Sequence, residues 1–373
     1  MRIWRQSANR NPKSAISMRV IIAAGGTGGH IYPGVALARE LIRRDPHTEI
    51  VFVGTARGLE SKIVPREGFE LELIEVGALK GVSVLQRIKS LAQLPLSFVA
   101  ALRILRRFKP QVVIGVGGYS SGPTLLMAAL TRVPTMVVEP NAMPGFTNRV
   151  LAPFVDAAAL SFEDASKYFG KRGVVTGNPI RGDFANLKKK ERGERLNILV
   201  FGGSQGSRAI NTAMTGALSL LGRERERLAI THQTGEQDFE MVKRGYQDAG
   251  FEADVRPFIH EMAAEFERAD LLICRAGATT AAEVAAAGKA AVFVPFPFAT
   301  DDHQRKNAEA FERSGAARMI LQKELTPERL AEELIRLIEH PDEIDRMEEA
   351  SRRLGRPDSA ERTVDIAMAV AGG

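Results

Sequence analysis

The sequence predicts an α/β protein made of two doubly wound, Rossmann-like domains that face each other across a cleft. Three features predict it. The chain has 373 residues, more than one hydrophobic core ordinarily supports, since single cores stop growing at roughly 250–300 residues. Short apolar runs rich in β-branched residues alternate with longer amphipathic runs, the pattern of parallel βαβ units. A strand running into a glycine turn, "RVIIAAGGTGG" at 19–29, returns as "NILVFGGSQGS" at 197–207, so one architecture occurs twice.

In chain order, residues 1–17 carry Arg2, Arg5, Arg10 and Lys13, no acid and no apolar run of signal-peptide length. They are expected to form a basic, disordered extension, with folding starting at Met18. Apolar runs at 19–24, 50–54, 111–115, 135–139 and 157–161 supply the strands of a first domain over 18–180. Within it, residues 111–131 are uncharged and as long as a membrane span, but Gly115, Gly117, Gly118, Gly122 and Pro123 parse them as strand, glycine loop and helix. The least patterned and most charged stretch, 183–195, reads as the linker. Runs at 197–201, 229–233, 253–257, 271–274 and 290–295 supply the strands of a second domain over 181–352. The tail, about 353–373, is expected to be helical and to pack back on the first domain.

Hydrophobic residues at 45% and charged residues at 26% describe an ordinary soluble globular chain. The formal charge of +6 is concentrated in the extension, leaving 47 basic against 45 acidic residues in the body. With no recognition motif either, nucleic acid is not an expected partner. The body does contain a basic zone: no Asp or Glu lies between Glu75 and Glu139, whereas Lys80, Arg87, Lys89, Arg103, Arg106, Arg107, Lys109 and Arg132 do. The lone Cys274 rules out an intrachain disulfide and fits a reducing compartment, with the cytoplasm as the expectation.

Glycine loops at 25–29, 115–122 and 202–206 each open a helix. Such a loop lets backbone N–H groups approach an anion, helped by the positive end of the helix dipole. A tight packing turn is the alternative for any one of them, but three in one chain favour ligands. None fits G-x-G-x-x-G, no acid follows the second strand to hold a ribose, and no G-x-x-x-x-G-K-[ST] occurs, which disfavours NAD and a P-loop ATPase. Residues 275–311 add a second constellation. After the strand at 271–274, small residues 277–282 start a helix that carries Glu283 one turn in, and Asp301, Asp302, His303 and Gln304 follow the next strand. Backbone donors for a pyrophosphate, a carboxylate for a ribose diol and amide groups for a sugar describe a nucleotide-sugar.

Eight ordered motifs, "GGTGGHIYP", "GLESKIVPREGF", "GVGGYSSGP", "EPNAMPGFTNRVL", "GNPIR", "FGGSQGSRAIN", "RAGATTAAE" and "DDHQRKNA", span the chain from Met18 to its end. Through them the sequence resembles the MurG family of GT-B glycosyltransferases. These are the UDP-N-acetylglucosamine:undecaprenyl-pyrophosphoryl-MurNAc-pentapeptide N-acetylglucosaminyltransferases of peptidoglycan synthesis, which serve cell shape and division. The resemblance implies UDP-GlcNAc as donor substrate, with no tightly bound cofactor. It sets Ser204 on the diphosphate and the Ile259 backbone on uracil. Ala278, Thr279, Thr280, Ala281, Ala282 and Glu283 would span phosphate and ribose, and Gln304 the sugar. Thr27, Gly28, Gly29, Asn141 and Arg181 would complete the donor site from across the cleft. The implied acceptor is lipid I, with Gly117, Gly118, Tyr119 and Ser120 as candidates for its diphosphate, at the cytoplasmic face of the cell membrane. The protein would be peripheral there, touching anionic lipid through Arg103, Arg106 and Arg107 and partnered by other cell-wall synthesis proteins. A core helix with a solvated basic face is the other reading of that zone.

The family's reaction inverts the donor's α linkage to β(1→4), which one in-line displacement achieves with a base on the acceptor hydroxyl. His30, at a helix N-terminus whose dipole favours a neutral imidazole, is the expected base; capping the helix or bracing the glycine turn is its alternative role. With no Asp-x-Asp and no zinc-spaced His or Cys, no metal is expected at the chemistry, and helix N-termini would balance the leaving diphosphate. A UDP-GlcNAc 2-epimerase of the same fold, and a non-catalytic sugar-nucleotide or lipid-binding protein, are the alternatives.

Overall fold

The computed structural model describes residues 18–26, 28–77, 84–180, 182–185, 187, 192–203 and 205–372. Thirteen strands among them form two parallel sheets. The first lobe holds β1 (Arg19–Ala24), β2 (Glu49–Gly54), β3 (Glu70–Leu73), β4 (Val112–Gly117), β5 (Thr135–Glu139), β6 (Ala157–Leu160) and β7 (Gly173–Val175), in the order β3-β2-β1-β4-β5-β6-β7. The central strands are apolar on both faces because helices cover both faces, as a parallel sheet requires. These helices are α1 (Gly28–Arg44), α2 (Glu60–Arg66), α3 (Val84–Phe108), α4 (Ser121–Leu130), α5 (Phe146–Leu151) and the single turn α6 (Ser166–Phe169).

After the turn α7 (Gly182–Ala185), the second lobe holds β8 (Leu196–Phe201), β9 (Leu228–Gln233), β10 (Ala253–Arg256), β11 (Leu271–Cys274), β12 (Ala290–Phe293) and β13 (Ala317–Met319). Their order is β10-β9-β8-β11-β12-β13. Its helices are α8 (Arg208–Ala217), α9 (Phe239–Asp248), α10 (Met262–Arg268), α11 (Ala278–Ala287), α12 (His303–Arg313), α13 (Pro327–Glu339) and α14 (Pro341–Leu354). The final helix, α15 (Ser359–Gly372), returns to the first lobe, packs along α1 and buries Val364 and Ala367 under its sheet. Ion pairs Arg43–Glu361 at 3.4 Å and Arg44–Asp365 at 2.5 Å edge this contact.

Part of the charged stretch 183–195 is structured. Phe184 on α7 is fully buried in the second lobe, its ring edge-on to Phe266 at a centroid distance of 5.0 Å. One aromatic side chain outweighs the polarity around it.

Both sheets end their central strands at the cleft. The β1–β4 register shifts after Ala23, a bulge of the kind that re-aims the backbone at a strand's end. It delivers Gly117 and Gly118 against the turn that follows β1.

Candidate active site

In the first lobe two glycine loops lock together. The Gly25 N–H donates to the Gly117 carbonyl at 3.2 Å, and a β-carbon on Gly118 would collide with the Gly25 carbonyl oxygen. Gly118 is also in the left-handed region, at φ +86°. Beneath them the fully buried Glu60 carboxylate accepts from Gly26 N at 2.9 Å and from Thr55 N and Oγ1, both at 2.8 Å.

His30 lies on the first turn of α1, partly buried, with Nδ1 3.1 Å from the Gly25 carbonyl. A carbonyl only accepts, so Nδ1 carries the proton and Nε2 keeps its lone pair. A β-carbon on Gly117 would lie 3.0 Å from that Nε2, so only glycine leaves the ring this edge. Desolvation lowers the imidazole's pKa from its ordinary 6.5; the Gly25 hydrogen bond opposes this, His303 across the cleft adds to it, and Glu60 opposes it. The net result is a neutral imidazole with one accepting nitrogen.

Helix α1 contains Pro33. Proline has no N–H, so the carbonyl four residues earlier, Gly29, lacks its helical partner. That carbonyl takes the Thr279 hydroxyl of α11 at 3.5 Å instead. The N-termini of α1 and α11 thus meet across the cleft, two positive dipole ends facing one space. Gly28 and Gly29 stand on the first turn of α1 and Ala278, Thr279 and Thr280 on that of α11. Ala281 is fully buried, Ala282 lines a crevice with Phe162 and Phe311, and Glu283 is only 6% exposed, unlike a solvated helix charge.

The second lobe holds its glycine turn differently. The buried Gln233 amide donates to the Gly203 carbonyl at 2.9 Å and accepts from Ile259 N at 2.7 Å. The Ile259 amide is therefore committed, and its carbonyl is the backbone group left for a base. Arg275 donates to Ser207 Oγ and Gln322 Oε1, both at 2.7 Å, and to the Val294 and Pro295 carbonyls at 3.0 and 3.1 Å. Burial lowers its pKa to about 10. Among the described residues no carboxylate lies within ion-pair distance of it. Ser207 caps α8, its Oγ accepting from Ile210 N.

Gln304 accepts from Phe296 N at 3.0 Å through Oε1, which leaves its NH2 as the outward donor. Asn141 is enclosed between the lobes: it donates to Glu139 Oε1 at 3.2 Å and accepts from Asn307 Nδ2 at 3.3 Å. Asn307 also accepts from Ala142 N at 3.0 Å. The fully buried Glu139 takes further bonds from Asn141 N, Gly145 N and Asn148 Nδ2 at 2.9–3.1 Å, and desolvation raises its pKa. Pro140 stands between Glu139 and Asn141, and the Asn141 and Gly145 amides still reach the carboxylate.

Of the remaining expected residues, Gly117 lies against the His30 ring and Gly118 against the Gly25 backbone. Ser120 is fully enclosed behind Gly25, and its hydroxyl has no partner among the described residues. Tyr119 points elsewhere, into an apolar groove of about 370 Å³ with Leu94, Phe98, Leu126, Phe146 and Phe154. Thr27, Arg181 and Ser204 lie outside the described residues. Arg103, Arg106 and Arg107 are exposed on α3, in line with exposed Leu96 and Val99; Arg107 pairs with Glu72. Glu60, Glu139, Gln233, Arg275 and Asn307 were not singled out from sequence, although Glu60, Glu139, Arg275 and Asn307 sit inside the quoted motifs. Among the described residues no group of three or more His, Cys, Asp or Glu side chains could hold a metal ion, and no helix is long and apolar enough to cross a membrane.

Residues 20–160 match the glycosyltransferase family 28 N-terminal domain, and residues 197–363 match its C-terminal domain. The UDP-N-acetylglucosamine–N-acetylmuramyl-(pentapeptide) pyrophosphoryl-undecaprenol N-acetylglucosamine transferase of Myxococcus xanthus is 48% identical over 354 residues, 94% of this chain and 92% of that protein. The crystal structure of Acinetobacter baumannii MurG is 32% identical with a TM-score of 0.79, covering 94% of this chain and 99% of the other. A UDP-GlcNAc 2-epimerase from Neisseria meningitidis reaches a TM-score of 0.67 at 13% identity, covering 94% and 100%, a likeness of fold alone. With both domains matched in order and near half of its residues shared with curated relatives, the chain belongs to the MurG family of N-acetylglucosamine transferases within glycosyltransferase family 28.

Proposed function

We propose that the protein transfers GlcNAc from UDP-GlcNAc to the C4 hydroxyl of MurNAc in lipid I, with inversion, giving lipid II and UDP. The observation that carries this reading is His30: a neutral imidazole, tautomer fixed by Gly25, at a helix N-terminus opposite the N-terminus of α11. Nε2 takes the proton of the acceptor hydroxyl as its oxygen bonds to the donor's anomeric carbon and the bond from that carbon to the UDP oxygen breaks. Charge building on UDP meets the N-termini of α8 and α11 and the half-buried Arg275 cation, all in place before the reaction. Glu283 suits the ribose diol and the Ile259 carbonyl the uracil N–H. The Gln304 NH2 donates to a sugar hydroxyl, so it senses the configuration that separates GlcNAc from GalNAc. Thr27, Arg181 and Ser204 complete the donor site in this reading.

The chain is peripheral at an anionic membrane surface in the same reading. Leu96, Val99, Arg103, Arg106 and Arg107 form one exposed stripe on α3 beside the apolar groove. That combination suits an interface whose headgroups attract cations.

The test is product analysis with purified protein, UDP-GlcNAc and a lipid I analogue. Disaccharide-lipid with stoichiometric UDP is expected; UDP-ManNAc would make the chain an epimerase, and no product would overturn catalysis. Turnover is expected to survive EDTA, and a loss restored by a divalent ion would put a metal at the diphosphate.

A further inference from the structure

Asp301 and Asp302 both adopt left-handed backbone, with φ of 55° and 56°. Two consecutive non-glycine residues there persist only where surrounding contacts impose the conformation. They stand at the entrance to α12, immediately before His303 and Gln304.

The contacts that impose it come partly from the other lobe. Arg149 on α5 donates to Asp301 Oδ2 at 2.9 Å, and both side chains are largely shielded, at 28% and 18% exposure. One turn into α12, Asn307 is held by Asn141 and Ala142 of the first lobe. Both grips arise from residues 141–149, a segment shaped by the buried Glu139, which takes hydrogen bonds from Asn141, Gly145 and Asn148. Among the described residues, Asp302 by contrast pairs with Arg305 of its own helix alone, at 3.9 Å. On the second-lobe side the loop is tied by Ala299 N to Phe296 O at 3.2 Å, Asp302 N to Ala299 O at 2.9 Å and Phe296 N to Gln304 Oε1 at 3.0 Å. The Gln304 amide is thus fixed at one end by its own loop, and the loop's strained end is fixed by Arg149.

We propose that Arg149 is a positioning residue for the hexosamine of the donor. By holding Asp301 it keeps residues 301–302 left-handed, and so sets where Gln304 presents its NH2 to the sugar. The sugar is then read in full only while the two lobes are together, and UDP, which has no sugar, does not sense the contact. The inference rests on the reading of Gln304 as the group that senses the donor's sugar.

The experiment uses the full chain and compares Arg149→Ala, Arg149→Lys, Asp301→Asn and Gln304→Ala. It measures KM and kcat for UDP-GlcNAc, the kcat/KM ratio between UDP-GlcNAc and UDP-GalNAc, the Kd for UDP and the melting midpoint. Arg149→Ala is expected to raise KM for UDP-GlcNAc about tenfold and to shrink the GlcNAc/GalNAc ratio by a similar factor, with the UDP Kd within twofold of the parent. Asp301→Asn, which tolerates left-handed backbone but lacks the charge, should show the same loss, and Arg149→Lys should recover most of it. If Arg149→Ala lowers the melting midpoint, Asp301→Asn decides. Unchanged selectivity in Arg149→Ala and Asp301→Asn, with selectivity lost in Gln304→Ala, overturns the positioning role alone. Unchanged selectivity in Gln304→Ala overturns the reading of Gln304 and the inference with it.

Discussion

The glycine turns after β1 and β8 repeat one architecture, and they rest on opposite charges. Beneath the first lies a carboxylate: Glu60 takes the Gly26 N–H, so one amide of that turn already has its anion. Against the second stand a neutral amide and a cation: Gln233 holds the Gly203 carbonyl, and Arg275 reaches the Ser207 hydroxyl that caps α8. Glycine gives a backbone the room to approach an anion. What lies under the turn decides whether the anion comes from the protein or from a ligand. The first turn is an internal brace whose product is an oriented His30, and the second is a vacancy of negative charge suited to a diphosphate.

The largest test of this contrast removes the product of the first turn. His30→Ala is expected to lower kcat at saturating substrates by about 10²–10⁴, the usual contribution of a general base, with KM for UDP-GlcNAc changed little. Near-normal turnover would leave His30 as a brace only. Next comes the surface that distinguishes the lobes. Neutralising Arg103, Arg106 and Arg107 to Gln should weaken sedimentation with anionic vesicles by roughly a hundredfold, at about 1 kcal/mol per cation, and leave UDP binding as it was. Equal binding by the variant would remove α3 from the interface. Third, Arg275→Gln keeps hydrogen-bonding capacity and loses the charge; UDP affinity should fall about 10- to 100-fold, the range of a charge-assisted hydrogen bond. No change would move the second turn's positive field to its helices alone.

The smallest effect is a displacement along the pH axis. The His30 pKa lies below 6.5, so the acidic limb of kcat/KM should fall below that pH, where the base becomes protonated. The Glu60 charge favours the imidazolium, and Glu60→Gln should therefore lower the pKa further and carry the limb to more acidic pH. A shift toward alkaline pH would contradict the carboxylate's place beneath the turn.

The central strands were legible because each is a continuous apolar run buried on both faces. Those missed, β3, β7 and β13, lie at or near sheet edges, and "ELEL" or "ARM" presents too little apolar surface to stand out. In the site, the glycines, His30 and Gln304 were readable because their chemistry is local. Glu60 and Gln233 were not, since a buried carboxylate under one turn and a buried amide between two loops are facts of tertiary contact. Sequence alone also made the two turns look equivalent, because the charge that separates them arrives from Glu60, 34 residues beyond Gly26, and from Arg275, 68 beyond Ser207.

Pro33 has a consequence for how the lobes meet. By removing one N–H from the first turns of α1, it leaves the Gly29 carbonyl without its i+4 donor and open to a group from the other lobe. The Thr279 hydroxyl of the other lobe fills it. A hydrogen bond taken in place of one to water is worth little in net free energy, so the contact adds direction between the lobes more than it adds stability. A single imino acid thereby turns an internal acceptor of one lobe into a point of recognition for the other.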